Sequence, residues 1–460
     1  MLHDLVSANK AAFKDYTELR AHVNTSRQVA FLAGNLVANA QSATGGVSAR
    51  VYRGGTFGFA SSAEYTNESV KNVLAAATDN AAFMDAHVKK GLPPLPGTAP
   101  DKIALKTAPG EVIPQSVLID YAKALDGMIT EKYKDLTSRT VSVSCLGIEK
   151  LLAVSDGADS HAFLPRSLVY VVMNADTPDG VPVDLYTIFG GFGRFDALFT
   201  DPGLLMKDLD ELHEALMRKA EGVYPNAGLR RCVLHPDLAG ILAHEAVGHT
   251  VEADLVLGGS VAAHNMGKQV ASELVTMVDF AHTALGKRCP VPVYVDDEGV
   301  AAEDALLIEK GILKGFMHSR ESARHFGVKP RGNARAFTFS DEPIIRMQNT
   351  AILPGKDKLE DMIASIDDGY YLVKTGNGQA DSTGEFMFSV SLGYEIKNGK
   401  IGQAIRDTTI SGVAFEMLKT VDMVSDDMAW ECGGFCGKKQ PMTVGMGGPA
   451  IRCDVNIGGR

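Results

Sequence analysis

The segment that most restricts what this chain can form is His244-Glu245-Ala246-Val247-Gly248-His249. It follows a strand-like run at 229–234 and the triplet His235-Pro236-Asp237. Proline is well placed at a first helical position, where its missing N–H costs nothing, and Asp237 sets negative charge at the helix start. A helix over 236–253 is therefore predicted. Two histidines around a glutamate are the donors of a metal site with a base beside it, but the familiar zinc-protease helix spaces its histidines four apart, so that both point from one face. Here they are five apart, which at 3.6 residues per turn rotates them by roughly 140° from each other. Either the histidines are not joint ligands, or the helix carries a one-residue π-bulge of the kind found at functional sites. Gly248 makes distortion easier, since it has no side chain and tolerates unusual backbone angles. The bulge is the reading taken here.

The 460 residues allow about two to four structural units, and 45% apolar content is that of an ordinary globular chain. A formal net charge of -11 without any lysine/arginine run argues against nucleic acid as a partner, because binding phosphates needs a basic face. The start, Met1-Leu2-His3-Asp4-Leu5-Val6, lacks the basic and apolar regions of a secretory signal, and no apolar run approaches the roughly 20 residues that span a bilayer. Six cysteines are too sparse for a disulfide scaffold. A cytoplasmic protein without a membrane partner is the expectation.

Along the chain, 47–52 and 56–60 flank Arg53-Gly54-Gly55, a hairpin signature. Asn67 is expected to cap a helix carrying Val70, Val73, Leu74 and Ala77. Gly91-Leu92-Pro93-Pro94-Leu95-Pro96-Gly97 reads as a linker. A helix over 116–134 precedes strands at 140–144 and 167–173, and a second helix over 204–220 has core spacing. Phe189-Gly190-Gly191-Phe192-Gly193-Arg194-Phe195 lacks the spacing of a nucleotide loop and reads as a glycine-rich turn between strands. Beyond the histidine motif, hairpins are expected around Gly311 and Asn398-Gly399, with a helix over 411–421. The class is α+β: a mixed α/β N-terminal part, divided into scaffold units at 1–98 and 99–225, and a strand-rich, largely antiparallel domain at 226–460 carrying the metal-binding helix.

The ordered motifs around that helix carry a resemblance. Leu242-Ala243-His244-Glu245-Ala246-Val247-Gly248-His249 and Val251-Glu252-Ala253-Asp254 are followed by Asp296-Asp297-Glu298-Gly299 and by Ile308-Glu309-Lys310-Gly311-Ile312-Leu313-Lys314-Gly315. Arg346-Met347-Gln348-Asn349-Thr350, Cys436-Gly437-Lys438 and Asn456-Ile457-Gly458-Gly459 complete the set. Together they resemble the TldD half of the TldD/PmbA metalloproteases, strongly over the C-terminal half and more loosely before it. The resemblance implies Zn2+ held by His244, His249 and Cys436, the cysteine placed by its Cys-Gly-Lys match. It also implies a peptidase for small, unfolded or modified peptides, acting as a homodimer or with a TldE/PmbA-like paralogue that lacks the histidine-glutamate motif.

Chemistry agrees in kind. Three protein ligands and one open position are the catalytic arrangement for zinc, and Glu245 could serve as general base toward a metal-activated water. Cys432, four residues before Cys436, could supply the thiolate instead, or join it in a closed structural site. Cys453 reads as a buried small hydrophobe. His264, His282, His318 and His325 show no partner spacing, and Glu252 and Asp254 suit either a ligand-orienting role or a solvated helix end. The alternative to a peptidase is a non-catalytic subunit or peptide-binding protein whose metal is structural.

Overall fold

A computed structural model describes residues 2–95 and 112–458. Six antiparallel strands form the first sheet: β1 (Tyr16–Leu32), β2 (Asn35–Arg53), β3 (Thr56–Ser62), β4 (Ser138–Val154), β5 (Asp159–Asp176) and β6 (Pro182–Phe192), in the order β3-β2-β1-β4-β5-β6. The expected hairpin joins β2 to β3, with Gly54 and Gly55 at φ of 56° and 101°, a conformation that glycine adopts at no steric cost. Because β1 pairs β2 on one side and β4 on the other, this one sheet takes strands from both sides of the expected 98–99 boundary. That boundary, with Pro96 and Gly97 of the linker, lies outside the described residues.

Helices α1 (Asn67–Val88), α2 (Gln115–Lys132) and α3 (Met206–Ala220) cover the sheet with their apolar stripes. Val70, Val73, Leu74 and Ala77 of α1 join Val47, Ala49 and Val51 in one core, while Leu118, Leu125, Leu209 and Leu216 of α2 and α3 join Val141, Val143, Val169 and Val171 in another. The cap of α1 is Thr66 rather than Asn67, since Thr66 has the extended backbone of a cap and its hydroxyl accepts from the Ser69 N–H. Phe189-Gly190-Gly191-Phe192 is the end of β6, paired along its length with β5, and not a turn between strands. Gly190 is needed there for close approach: a Cβ would lie 2.2 Å from the Ser167 carbonyl oxygen.

The second half is built on a closed ring of five strands: β7 (Gly228–Leu234), β8 (Asp368–Ala380), β9 (Glu385–Lys397), β10 (Thr408–Val413) and β11 (Ile451–Ile457). β8 pairs β7 and β9, β11 pairs β7 and β10, and β9 closes on β10. The helix expected over 411–421 is shorter, Ala414–Lys419, because Ser411 to Val413 continue the β-branched run that pairs with β9. A second sheet runs in the order Ile312–Leu313, Ala305–Glu309, Met277–Phe280, Asn349–Ile352, Gly445–Gly448, Ala429–Glu431. Between ring and sheet lies the helix α4 (236–251), whose Leu238, Ala239, Leu242, Ala243, Ala246 and Val247 share one core with Leu372, Phe386, Phe388 and Ile352. Helices and sheets largely segregate along the chain, so the class is α+β. No helix among the described residues is long and apolar enough to cross a membrane.

Buried charge ties the two halves together. Asp297, 3% exposed, accepts from Lys150 Nζ at 2.7 Å and faces Arg20 Nη1 at 3.3 Å, both from the first sheet. Glu298, 1% exposed, meets Arg50 Nη2 at 2.6 Å. Burial alone would raise the Asp297 carboxyl, but the surrounding Lys150, Arg20 and His22 hold it well below the usual carboxylate range. Each charge is compensated by a partner from the other half, and removing one member leaves an uncompensated buried ion. Asp297→Ala is therefore expected to cost about 3–5 kcal/mol in urea unfolding, and a loss below about 1 kcal/mol would refute this role for the pair.

Candidate metal centre

α4 begins where the sequence predicts. His235 has extended backbone and its Nδ1 accepts from the Asp237 N–H at 3.3 Å, with Pro236 at the first helical position. Regular α-helix lasts from Pro236 to Ile241; from Leu242 to Gly248 the turns widen to a π-helix, and His249–Val251 tighten again. The His249 N–H donates to the His244 carbonyl, an i→i+5 bond. Residues five apart thus come onto one face, as joint ligation at that spacing would require. The two imidazole centroids lie 5.3 Å apart with their planes at 80°.

Gly248 serves this geometry differently from its expected role. Its φ and ψ are -53° and -49°, ordinary helical values. What it supplies is space, since a Cβ would lie 2.1 Å from Met347 Sδ. Gly240 likewise lets α4 approach the Gly445–Gly448 strand, its notional Cβ lying 2.9 Å from Gly447 N.

Cys436 reaches the histidines from a short hairpin, Phe435–Cys436 paired with Met442–Thr443. Arg346, fully buried, holds that turn from inside: Nη2 donates to the Cys436 carbonyl at 2.8 Å and Nη1 to those of Gln440 and Lys438 at 2.6 and 3.0 Å. The Cys436 Sγ lies 3.2 Å from His249 Nε2. One donor atom each of His244, His249 and Cys436 falls within 4.8 Å of the others. Both ring nitrogens of His244 are buried without a hydrogen-bond partner, an arrangement costly for a polar group unless something binds it. Burial pushes the Cys436 thiol up, but the adjacent His244 and His249 outweigh it and bring it to about 3. Burial lowers His249, and its contacts with Cys436 and Glu252 raise it to about 10. Two imidazoles and a ready thiolate are a donor set that suits zinc.

Cys432 stays apart from this group. Its carbonyl accepts from Arg166, and burial pushes its thiol up to about 11. Cys453 is buried in β11, its thiol raised by burial. His318 packs beside Ser322 and is pushed down to about 4 by burial.

Sequence reasoning left the support of His249 undecided. Glu252, fully buried, accepts from His249 Nδ1 at 2.7 Å, which leaves Nε2 facing Cys436. Lys438 Nζ lies 3.3 Å from Glu252 and donates to Asp254 Oδ1 at 2.8 Å. A carboxylate behind a histidine fixes the ring's tautomer and orientation; the i,i+3 spacing of His249 and Glu252 was the available signal. Lys438 and Arg346 belong to quoted motifs, but nothing in one sequence tells that they meet here.

Glu245 is a quarter exposed, with Oε2 3.6 Å from His249 Nε2 and Oε1 3.9 Å from His244 Nε2. It lines a cleft of about 270 Å³ together with Tyr186 and Ile188 of β6, Lys374 to Gly378 of β8, and Phe435. β6 is the last strand of the first sheet and Ala429–Glu431, whose Glu431 also lines the cleft, the last of the second.

Comparison with known proteins adds a separate line of evidence. Residues 228–459 match the model of the PmbA/TldA metallopeptidase C-terminal domain, and residues 17–81 that of PmbA/TldA metallopeptidase domain 1. A metalloprotease of Methanothermobacter thermautotrophicus is 30% identical over 454 residues, covering 95% of this chain and 94% of the relative. A zinc metalloprotease TldD homologue of Saccharolobus solfataricus is 36% identical over 309 residues, 66% of either chain. The crystal structure of TldE from Thermococcus kodakarensis superposes with a TM-score of 0.79 over all of both chains at 20% identity, a likeness of fold alone.

If Glu252 orients His249, Glu252→Ala should weaken zinc binding by about 10- to 100-fold, read by competition with a chelator of known affinity. Cys432→Ser should leave it unchanged and Cys436→Ser should weaken it severely. The opposite pattern for the two cysteines would overturn the assignment.

Proposed function

Since the chain belongs to the PmbA/TldA metallopeptidase family, we propose that it is a zinc-dependent peptidase in which His244, His249 and Cys436 hold the ion and Glu245 is the general base. The observation that carries this reading is the convergence of three donors beside a carboxylate that faces a cleft. A structural zinc site is closed by four protein ligands, whereas three leave a position for chemistry. When bound, the ion would act as a Lewis acid toward the scissile carbonyl and lower the pKa of water.

The chain's own groups do the rest. Glu245 accepts the proton of the attacking water and returns it to the departing amine, the dual task of a general acid-base. Glu252 keeps the His249 ring in place, and Lys438 offsets the charge buried on Glu252. The cleft runs between two sheet-edge strands and the stretch of β8 where its register with β9 shifts repeatedly, between Leu372 and Gly378. Edges of this kind hold an extended peptide through its backbone, largely independent of sequence. Unfolded or small peptides, modified ones among them, are thus the proposed substrates, and folded proteins are not. The partner is a second copy or a TldE/PmbA-like paralogue. The six cysteines, all free, fit a cytoplasmic location.

Glu245→Gln is expected to purify with a full zinc content and to lose about 10²- to 10⁴-fold in cleavage of an unstructured peptide. Chelation should abolish cleavage by the unmodified protein. A Glu245→Gln protein that cleaves normally, or cleavage that survives complete metal removal, would contradict the mechanism.

A further inference from the structure

We propose that a cavity on the inner face of the first sheet, behind the wall of the metal cleft, binds a small monocarboxylate whose anionic end is received by Arg166. The cavity has a volume of about 70 Å³, where a single water needs roughly 10–15 Å³. Successive strand residues face opposite sides of a sheet. Leu146, Ile148 and Lys150 of β4 therefore share one face with Ala162, Leu164 and Arg166 of β5, and that face lines the cavity. The segment 290–297 of the second half, with Arg335, supplies the rest of the lining. Ala162, Leu164 and Val295 are half-buried, so the cavity reaches solvent.

Its charges do not balance. Arg166 is 6% exposed. Its Nη2 donates to the carbonyls of Cys432 and Gly434, whereas Nε and Nη1 are buried with no hydrogen-bond partner among the described residues. Arg335, equally buried, donates to the Met347 and Thr443 carbonyls at 2.7 and 3.1 Å rather than to a carboxylate. Lys150 meets Asp297, which it shares with Arg20. Asp296, the other carboxyl of the lining, is pushed well up by burial and by Glu298, which disfavours its charge. Burial brings Arg166 and Arg335 down to about 10 and Lys150 to about 8, as befits cations whose lost water no carboxylate fully replaces. A buried cation without a counter-ion is costly, and an anion in the cavity removes that cost.

The walls choose among anions. Phosphate or sulfate needs donors for three or four oxygens, and Arg166 offers two free nitrogens beside aliphatic side chains. A carboxylate on a short alkyl chain sets its charge against the guanidinium and its chain against Ile148 and Leu164, the usual division of a small-molecule site. Gly433 and Gly434 line the cleft at Glu245. Arg166, through the carbonyls of Cys432 and Gly434, thus joins the bound anion to that wall. Binding is read without turnover, so it stands or falls separately from the peptidase reading.

Propionate is the probe. Titrating the full chain with isotope-labelled propionate at constant ionic strength, followed by NMR, should reveal one site that saturates in the low millimolar range. Its methyl group should show contacts to the methyl groups of Ile148 and Leu164, and amide exchange at Gly433 and Gly434 should slow on binding. Arg166→Gln, and Ala162→Leu, which fills the cavity, should each weaken binding by about 10-fold or more. Should a variant misfold, the methyl contacts in the unmodified chain still decide. Absence of saturation, contacts elsewhere on the chain, or a folded variant that binds unchanged would overturn the proposal. Chloride or phosphate binding as tightly as propionate would overturn the ligand class, and unchanged exchange at both glycines would overturn the link to the cleft.

Discussion

The hydrogen bond from the His249 N–H to the His244 carbonyl governs the arrangement of the centre. In a regular helix the two imidazoles would point roughly 140° apart, and Cys436 could meet only one of them. The π turn aligns them, and its position between two well-packed segments explains why it persists. Leu238 and Ala239 anchor the helix before it, Val251 after it, all in the same core. Met347 fills the space that Gly248 leaves open. The cost of the wider turn is thus met by packing on both sides.

A second constraint acts at longer range. The cleft exists only because β6 of the first sheet stands over α4 and β8 of the second half, with the Tyr186 hydroxyl donating to the Thr375 carbonyl at 3.0 Å. Asp297 and Glu298 meet Arg20, Lys150 and Arg50 in the buried contact between the halves and fix how these sit against each other. Such pairs contribute little net stability compared with apolar packing, yet they tolerate no misalignment. They suit a joint that must hold a cleft at fixed width.

Much of this was legible in the sequence, for identifiable reasons. Periodicity and turn chemistry are local, so the Arg53-Gly54-Gly55 and Asn398-Gly399 hairpins, the Pro236 start and the core faces of α1 and α3 could be read directly. The five-residue spacing of the histidines left a choice between a distorted helix and histidines that share no ligand, and the π turn at 242–248 is the first of these. What could not be read depends on distant contacts. Gly248 looked like a backbone device and is a packing one. Phe189-Gly190-Gly191-Phe192 looked like a turn because two glycines together usually make one, whereas these residues pair with β5 and the close Ser167 carbonyl requires a glycine at position 190. Arg346 and Lys438, far from His249 along the chain, converge behind it only in the fold. The choice between Cys432 and Cys436 was likewise closed to spacing, since Cys436 lies on a hairpin and Cys432 in the irregular stretch before it, neither on a helix.

The proposed centre holds zinc by two nitrogens and one sulfur, with a coordination position left for chemistry. X-ray absorption at the zinc edge of the metal-loaded protein reads that ligand set directly. Two imidazole nitrogens, one sulfur at about 2.3 Å and a further light scatterer from solvent are expected. Two sulfurs, or none, would contradict it.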